Sequence, residues 1–382
     1  MTAPQTRFDR AVAICAIAFA FALALYTGFR VPNAWSATLD SVSLFGGFHR
    51  RFVVGTLLHP LAVATGYNYW VFAAWSFAVL AALLAVLARE AYRGALDRRL
   101  VIVGFVAIQG GFLFNEVGYY EQLHYLLLFA AIWLVHRQRD IAAAIVMAIA
   151  PMVHEIAILT VLPLFGLVLA RNVPFRRAAI LTAIPAAVNL VILAIPPARD
   201  GAIAELSSAL AHANFAYRAD ALELFARSQH DAWGLYKVHD VVVYVRPMMW
   251  GLVALFALFW LSDRRSWLGE RDRQRPAVVL AISCAAIAVA SLLVYGGWDG
   301  NRWRFAVICS FAVAVWLTLA YRTAQPLRAS TITLLVIAAL FVNDQREWYF
   351  DGLAPRELSY RGVGKFIEHV ADGSLFERAG SW

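Results

Sequence analysis

The chain has 382 residues, 62% of them hydrophobic and 15% charged, with a formal net charge of +8. Soluble domains carry about 45–50% apolar and about 25% charged residues, so this composition excludes an ordinary soluble protein. It predicts an all-α fold, a polytopic membrane helical bundle. The positive charge lies mainly in short Arg-rich loops between apolar runs, which fits membrane topology and excludes nucleic acid as the partner.

Arg7 and Arg10 precede a first span at 11–29 and hold the N-terminus in the cytoplasm, which makes 30–51 an outer loop. Residues 52–66, "FVVGTLLHPLAVATG", are too short to cross and are interrupted by Gly55, His59 and Pro60; they predict a helix lying in the membrane interface or dipping back into it. Spans follow at 68–88, 100–117, 122–136, 141–153, 156–170 and 177–196. The next outer loop, 197–240, repeats apolar residues at helical spacing among charges, predicting one or two amphipathic helices. Further spans at 241–261, 276–295, 304–320 and 328–342 bring the total to about eleven. The expected organisation is a transmembrane domain over 1–342 and a periplasmic C-terminal tail over 343–382, itself aromatic and charged like the 197–240 loop. In this register "REAYRGALDRR", "HRQRD", "RNVPFRR", "DRRSWLGERDRQR" and "YRTAQPLR" all fall on the cytoplasmic side. Cys15, Cys284 and Cys309 each sit in an apolar run without CxxC spacing and read as small hydrophobes.

The unusual polar residues gather at the outer ends of the expected helices. Asp40 lies in the first outer loop, followed by His49, Arg50 and Arg51 in "GGFHRRFVVG". The turn "NEVGYYEQLHY" supplies Glu116, Tyr120, Glu121 and His124, and "APMVHEIA" supplies His154 and Glu155. Arg246 stands in "VYVRPMMW", and "GGWDGNRWRF" holds Asp299, Asn301, Arg302 and Arg304. Ionisable groups within apolar spans cost several kcal/mol each and mark function by default. Their common side predicts one water-accessible cavity. Each group also has a local structural reading. Asp299 and Arg302 are spaced for a helix-end ion pair, Arg50 and Arg51 for snorkelling to headgroups, and His154–Glu155 for satisfying backbone beside Pro151. Asp40, His49, His154 and Glu155 are compatible with a divalent cation such as Mg or Mn, but no HExxH spacing exists. No GxGxxG, Walker loop or GxSxG elbow occurs, so cytosolic nucleotide chemistry has no support.

A first span followed by a long outer loop with an acidic residue and an interfacial helix, then many spans and a variable C-terminal part, resembles the type-C (GT-C) membrane glycosyltransferases. More loosely it is similar to polysaccharide polymerases. The resemblance is architectural and covers most of the chain. It implies a transferase at the outer face of a bacterial inner membrane, with a polyprenyl-phosphate-linked sugar donor, a glycan or lipid acceptor, and surrounding membrane lipids. It gives Asp40 the role of base, as the carboxylate of the corresponding loop; the family often shows two adjacent acids where "TLDSV" has one. Glu155 and His154 stand as further catalytic candidates. His49, Arg50, Arg51, Glu116, Tyr120, Glu121, Arg246, Asp299, Asn301, Arg302 and Arg304 are expected to bind substrate, the arginines through phosphate. Two other classes stay open: a transporter or flippase of a lipid-linked or anionic substrate, and a membrane acyltransferase or hydrolase using His154 or His49.

Overall fold

The computed structural model describes residues 7–93, 96–107, 112–227, 305–306, 309–310, 312–314, 316–317 and 356–377. The described residues are helical, with no strand among them. In chain order the helices are α1 (Arg7–Gly28), α2 (Ala34–Asp40), α3 (Val53–Ala64), α4 (Tyr69–Arg93), α5 (Leu96–Ala107), α6 (Phe112–Asn115), α7 (Tyr120–His136), α8 (Asp140–Val153), α9 (Val161–Asn172), α10 (Phe175–Ala194), α11 (Asp200–Leu210), α12 (Ala219–Ala226), α13 (Tyr360–Ala371) and α14 (Ser374–Glu377). Short 3-10 turns lie at Leu44–Gly46 and Glu155–Ile158.

Three of these stretches are long and apolar enough to cross a membrane: Tyr69–Arg93, Glu155–Asn172 and Phe175–Ala194. This corrects the expected count of about eleven spans. The expected spans 241–261, 276–295 and 328–342, and most of 304–320, lie outside the described residues, and 100–117 is described except for 108–111. The shortfall elsewhere has a local cause. The run expected to span 141–153 stops at Val153, because Pro151 removes a backbone donor from the last turn and His154 is extended at φ −161°, ψ 131°. The run 122–136 starts inside protein: Tyr120, Glu121, Gln122 and His124 are all buried in the first turns of α7. Helices with polar, protein-covered ends do not need the full hydrocarbon thickness.

The chain forms two compact units. One comprises Met1–Phe29, Leu84–Asn115 and Lys237–Val363, the other Arg30–Leu83, Glu116–Tyr236 and Gly364–Trp382. In the first, α1 packs against α5 and α6. In the second, α7 to α10 form a bundle. A tight turn joins α7 to α8, with Gln138 in the left-handed region and Arg139 N–H donating to the Leu134 carbonyl at 2.9 Å. At the start of α8 and α10, Asp140 and Arg177 pair through contacts of 2.6 and 3.0 Å. Asn189, wholly buried in α10, is 12 residues beyond Arg177, and Val153 is 13 beyond Asp140. At 1.5 Å per residue both stand roughly 20 Å above that pair, so Asn189 is level with the end of α8.

Helices α2, α3, α11 and α12 form a second group that meets the bundle where α3 packs against α8. Of the segment 197–240, expected to hold one or two amphipathic helices, the described part to 227 forms two, α11 and α12, and their apolar stripe is covered by protein. Leu206, Leu210, Ala221, Leu222 and Phe225 share one core with Ala34, Ala37, Leu39, Phe48 and Val54. The helix expected over 52–66 is α3, and it approaches the end of α2 at Gly55. A Cβ there would stand 1.9 Å from the Val42 carbonyl oxygen and 2.8 Å from that of Asp40. Backbone faces backbone, so neither side can yield cheaply. Gly55→Ala is therefore expected to lower stability by about 1–3 kcal/mol. A thermal midpoint equal to wild type would show that α3 can slide away from α2 at no cost.

Candidate functional site

Helix α2 is fixed at both ends. Asn33 caps its start, accepting from Ser36 N–H at 2.9 Å, and its amide donates to the Tyr119 hydroxyl at 3.1 Å. The neighbouring Gly118 has φ +93°, and a Cβ there would stand 2.6 Å from Ser36 Oγ. Glycine lets the turn before α7 press directly on α2. Thr38 accepts from Arg218 N–H at 3.0 Å, tying α2 to the start of α12. These contacts present the last residue of α2, Asp40, to the interior, where it is 2% exposed.

The Tyr120 hydroxyl stands close enough to Asp40, Arg51 and Glu155 to feel all three charges. The Tyr120 ring meets the His154 ring edge-on at 5.9 Å, and the His124 and His154 rings lie 6.3 Å apart. Asp40, Tyr120, Arg51, His154 and Glu155 thus form one buried polar cluster, gathered from positions 40 to 155 of the sequence. A narrow pocket adjoins it, bounded by Asp40, Trp75, Ser76, Tyr119, Tyr120 and Gln122 among others, with room for roughly one water molecule. Burial pushes the Asp40 carboxyl well above the usual carboxylate range, and the Tyr120 hydroxyl opposes this more weakly.

Arg51 and Glu155 form a two-pronged ion pair. Arg51 Nε lies 3.1 and 3.0 Å from the two carboxylate oxygens, and Nη2 also donates to Oε1. The side chains are 18% and 7% exposed, so the pair is largely desolvated. Arg51 reaches Glu155 from a left-handed backbone, φ +53°, which is uncommon for a residue with a Cβ. Both Glu155 oxygens are engaged by Arg51, which makes Glu155 an anchor and a poor proton acceptor.

His154 caps the 3-10 turn, its Nδ1 accepting from Ile156 N–H at 3.2 Å. Nδ1 therefore holds a lone pair and the neutral ring carries its proton on Nε2. The 3.4 Å approach of Nδ1 to Glu155 is then a contact between two acceptors, and not an ion pair. His124 Nε2 donates to the Ala150 carbonyl at 3.0 Å, the carbonyl that also accepts from His154 N–H.

Not every expected residue joins this cluster. Arg50, adjacent to Arg51, spends its guanidinium on the carbonyls that end α12, donating to Arg227 at 2.8 Å and to Phe225 at 3.5 Å. That is a helix-terminal cap supplied from a distant loop. His49 is exposed, while Glu116 and Glu121 are buried at the entry to α7. Arg246, Asp299, Asn301, Arg302 and Arg304 lie outside the described residues. Among the described residues no group of three or more His, Cys, Asp or Glu is placed to hold a metal, so Asp40, His49, His154 and Glu155 do not form the ligand set considered for Mg or Mn.

Sequence reading passed over Asn189. It is 0% exposed, its carboxamide has no hydrogen-bond partner among the described residues, and α10 packs against the 3-10 turn that carries Glu155. A lone Asn inside "PAAVNLVILA" was the available signal, since polar groups in apolar spans are costly. Comparison with protein-family models, with curated proteins and with solved structures finds no match to this chain.

Proposed function

We propose that the chain is an inverting glycosyltransferase that moves a sugar from a polyprenyl-phosphate carrier to an acceptor hydroxyl at the outer face of a bacterial inner membrane. The observation that carries this reading is the buried cluster of Asp40, Tyr120, Arg51, His154 and Glu155, collected beside membrane-length helices. A carrier of this kind keeps its tail in the bilayer and its phosphate at the boundary, which is where a desolvated carboxyl and a fixed guanidinium are useful together.

In this reading Asp40, once ionised, takes the proton of the acceptor hydroxyl. The acceptor oxygen bonds to the anomeric carbon as the bond from that carbon to the phosphate oxygen breaks, and polyprenyl phosphate leaves with the electron pair. Arg51 stabilises the leaving phosphate, its charge held in place by Glu155. Because Asp40 resists ionisation, the rate is expected to climb with pH along a limb above the ordinary carboxylate range.

Purified full-length protein, given polyprenyl-phosphate monosaccharides and acceptor, tests the assignment. Asp40→Asn is expected to lower turnover by about 10²–10⁴-fold, the usual contribution of a positioned base. Full turnover in that variant would remove Asp40 from the role. Transfer from none of the donors would remove the class, and movement of donor across vesicles without transfer would replace it by a flippase.

A further inference from the structure

Helix α13 has no buried residue, although half of it is apolar. Val363, Ile367 and Val370 are 39%, 60% and 48% exposed and recur at the spacing of one helix face, and Tyr360 at the start is 97% exposed. Phe366, on the same face, is half-buried, and the charged or titratable residues of the helix are Arg361, Lys365, Glu368 and His369. A helix of this kind in water would leave Val363, Ile367 and Val370 wet, since all three are exposed.

Its point of attachment indicates what does. Arg356 N–H donates to the Thr27 carbonyl at 3.1 Å, and Arg356 Nη1 donates to the carbonyls of Tyr26 at 3.0 Å and Phe29 at 2.8 Å. These are the orphan acceptors at the end of α1, so the residues leading into α13 act as the C-terminal cap of that helix. The Tyr26 hydroxyl also donates to the Glu357 carbonyl. Gly362 completes the fit, because a Cβ there would stand 2.6 Å from that hydroxyl. Helix α1 has an apolar surface over Ile14–Gly28, with Ile14, Phe19 and Leu25 facing outward. Its C-terminal end leads into Arg30 and Asn33, the first polar residues after the apolar run.

We infer that α13 lies flat in the membrane interface, with Val363, Ile367 and Val370 in the headgroup–acyl boundary and Arg361 and Lys365 among the headgroups. The occupant of the stripe is lipid, because the helix starts at the end of an apolar helix with outward-facing residues and carries Arg361 and Lys365 on the face opposite its stripe, as an interfacial helix does. The tail is thereby an anchor that holds the end of α1 at the boundary.

Nitroxide labels introduced singly by Arg361→Cys, Val363→Cys, Lys365→Cys, Ile367→Cys, Glu368→Cys and Val370→Cys test this in full-length protein. The native cysteines are first replaced, and the protein is placed in phosphatidylethanolamine–phosphatidylglycerol vesicles. Oxygen accessibility is expected to peak at 363, 367 and 370, and accessibility to a water-soluble nickel chelate at 361, 365 and 368, with at least a severalfold contrast between the two sets. Equal nickel access at all six positions would place the helix in water and overturn the inference. Exclusion of both reagents from 363, 367 and 370 would mean that protein covers the stripe, and would overturn it as well. A Gly362→Ala variant of the Ile367→Cys protein is expected to lose oxygen access, since the added methyl pushes the helix off Tyr26.

Discussion

Arg51→Ala is expected to destabilise the protein by about 3–5 kcal/mol, because it leaves Glu155 as a buried carboxylate without its counter-charge. The magnitude follows from desolvation. At 7% exposure Glu155 cannot recover through water what it loses from the guanidinium, and the neutral His154 offers a lone pair where a donor is needed. Three companion variants separate the parts of this effect. Arg51→Lys keeps the charge and gives up the fork, so it is expected to recover only part of the loss. Arg51→Gly removes the same contacts as alanine but relieves the left-handed backbone, and is expected to be the less damaging of the two by about 1 kcal/mol. Arg51→Met combined with Glu155→Leu is expected to restore most of the stability, since apolar replacement of a whole buried pair is often neutral or better. Thermal unfolding in detergent reads all four. A wild-type midpoint for Arg51→Ala would show that the pair contributes nothing and that Glu155 does not hold Arg51.

The sequence revealed which groups were costly but not what they touch. His154 and Glu155 stood out because charge and imidazole are rare in apolar surroundings, and Asp40 because the resemblance put a base in its loop; all three belong to the buried cluster. The partner of Glu155 was not legible, because Arg51 lies 104 residues away and only a backbone reversal at φ +53° aims it there. Arg50 and Arg51 look equivalent in "HRRF", yet one caps α12 and the other grips Glu155. Neighbouring residues point apart, and sequence spacing cannot tell which direction meets which partner. Helix type was legible from the density of apolar residues wherever residues are described. Helix length was not, since that depends on where protein instead of lipid covers the ends, as at Pro151–His154 and at Tyr120–His124. The amphipathic pattern of 197–240 was correctly read as helical, but its covering turned out to be α2 and α3.

Asp40→Asn is expected to make the protein more stable at neutral pH, even as it removes the proposed base. The sign follows from linkage. Burial raises the carboxyl of the folded chain well above its value in the unfolded chain. Between those two values the folded chain binds a proton that the unfolded chain has released, so stability falls as pH rises. The full contribution is present below the unfolded value of about 3.9, and it is lost progressively up to the folded value. Asparagine is a permanently neutral replacement of nearly the same shape and has no such slope. The advantage of Asp40→Asn should therefore be small near pH 4 and grow by up to about 1.4 kcal/mol per pH unit, bounded at about 4 kcal/mol by pH 7. Thermal midpoints of both proteins from pH 4 to pH 8 give the difference directly, with other titrating groups cancelling to first order. A constant gap across that range would mean that Asp40 ionises as an ordinary carboxylate and that its burial carries no penalty. A growing gap, together with lost turnover, would mean that this chain retains at position 40 a group that weakens it, which only its use in the reaction would explain.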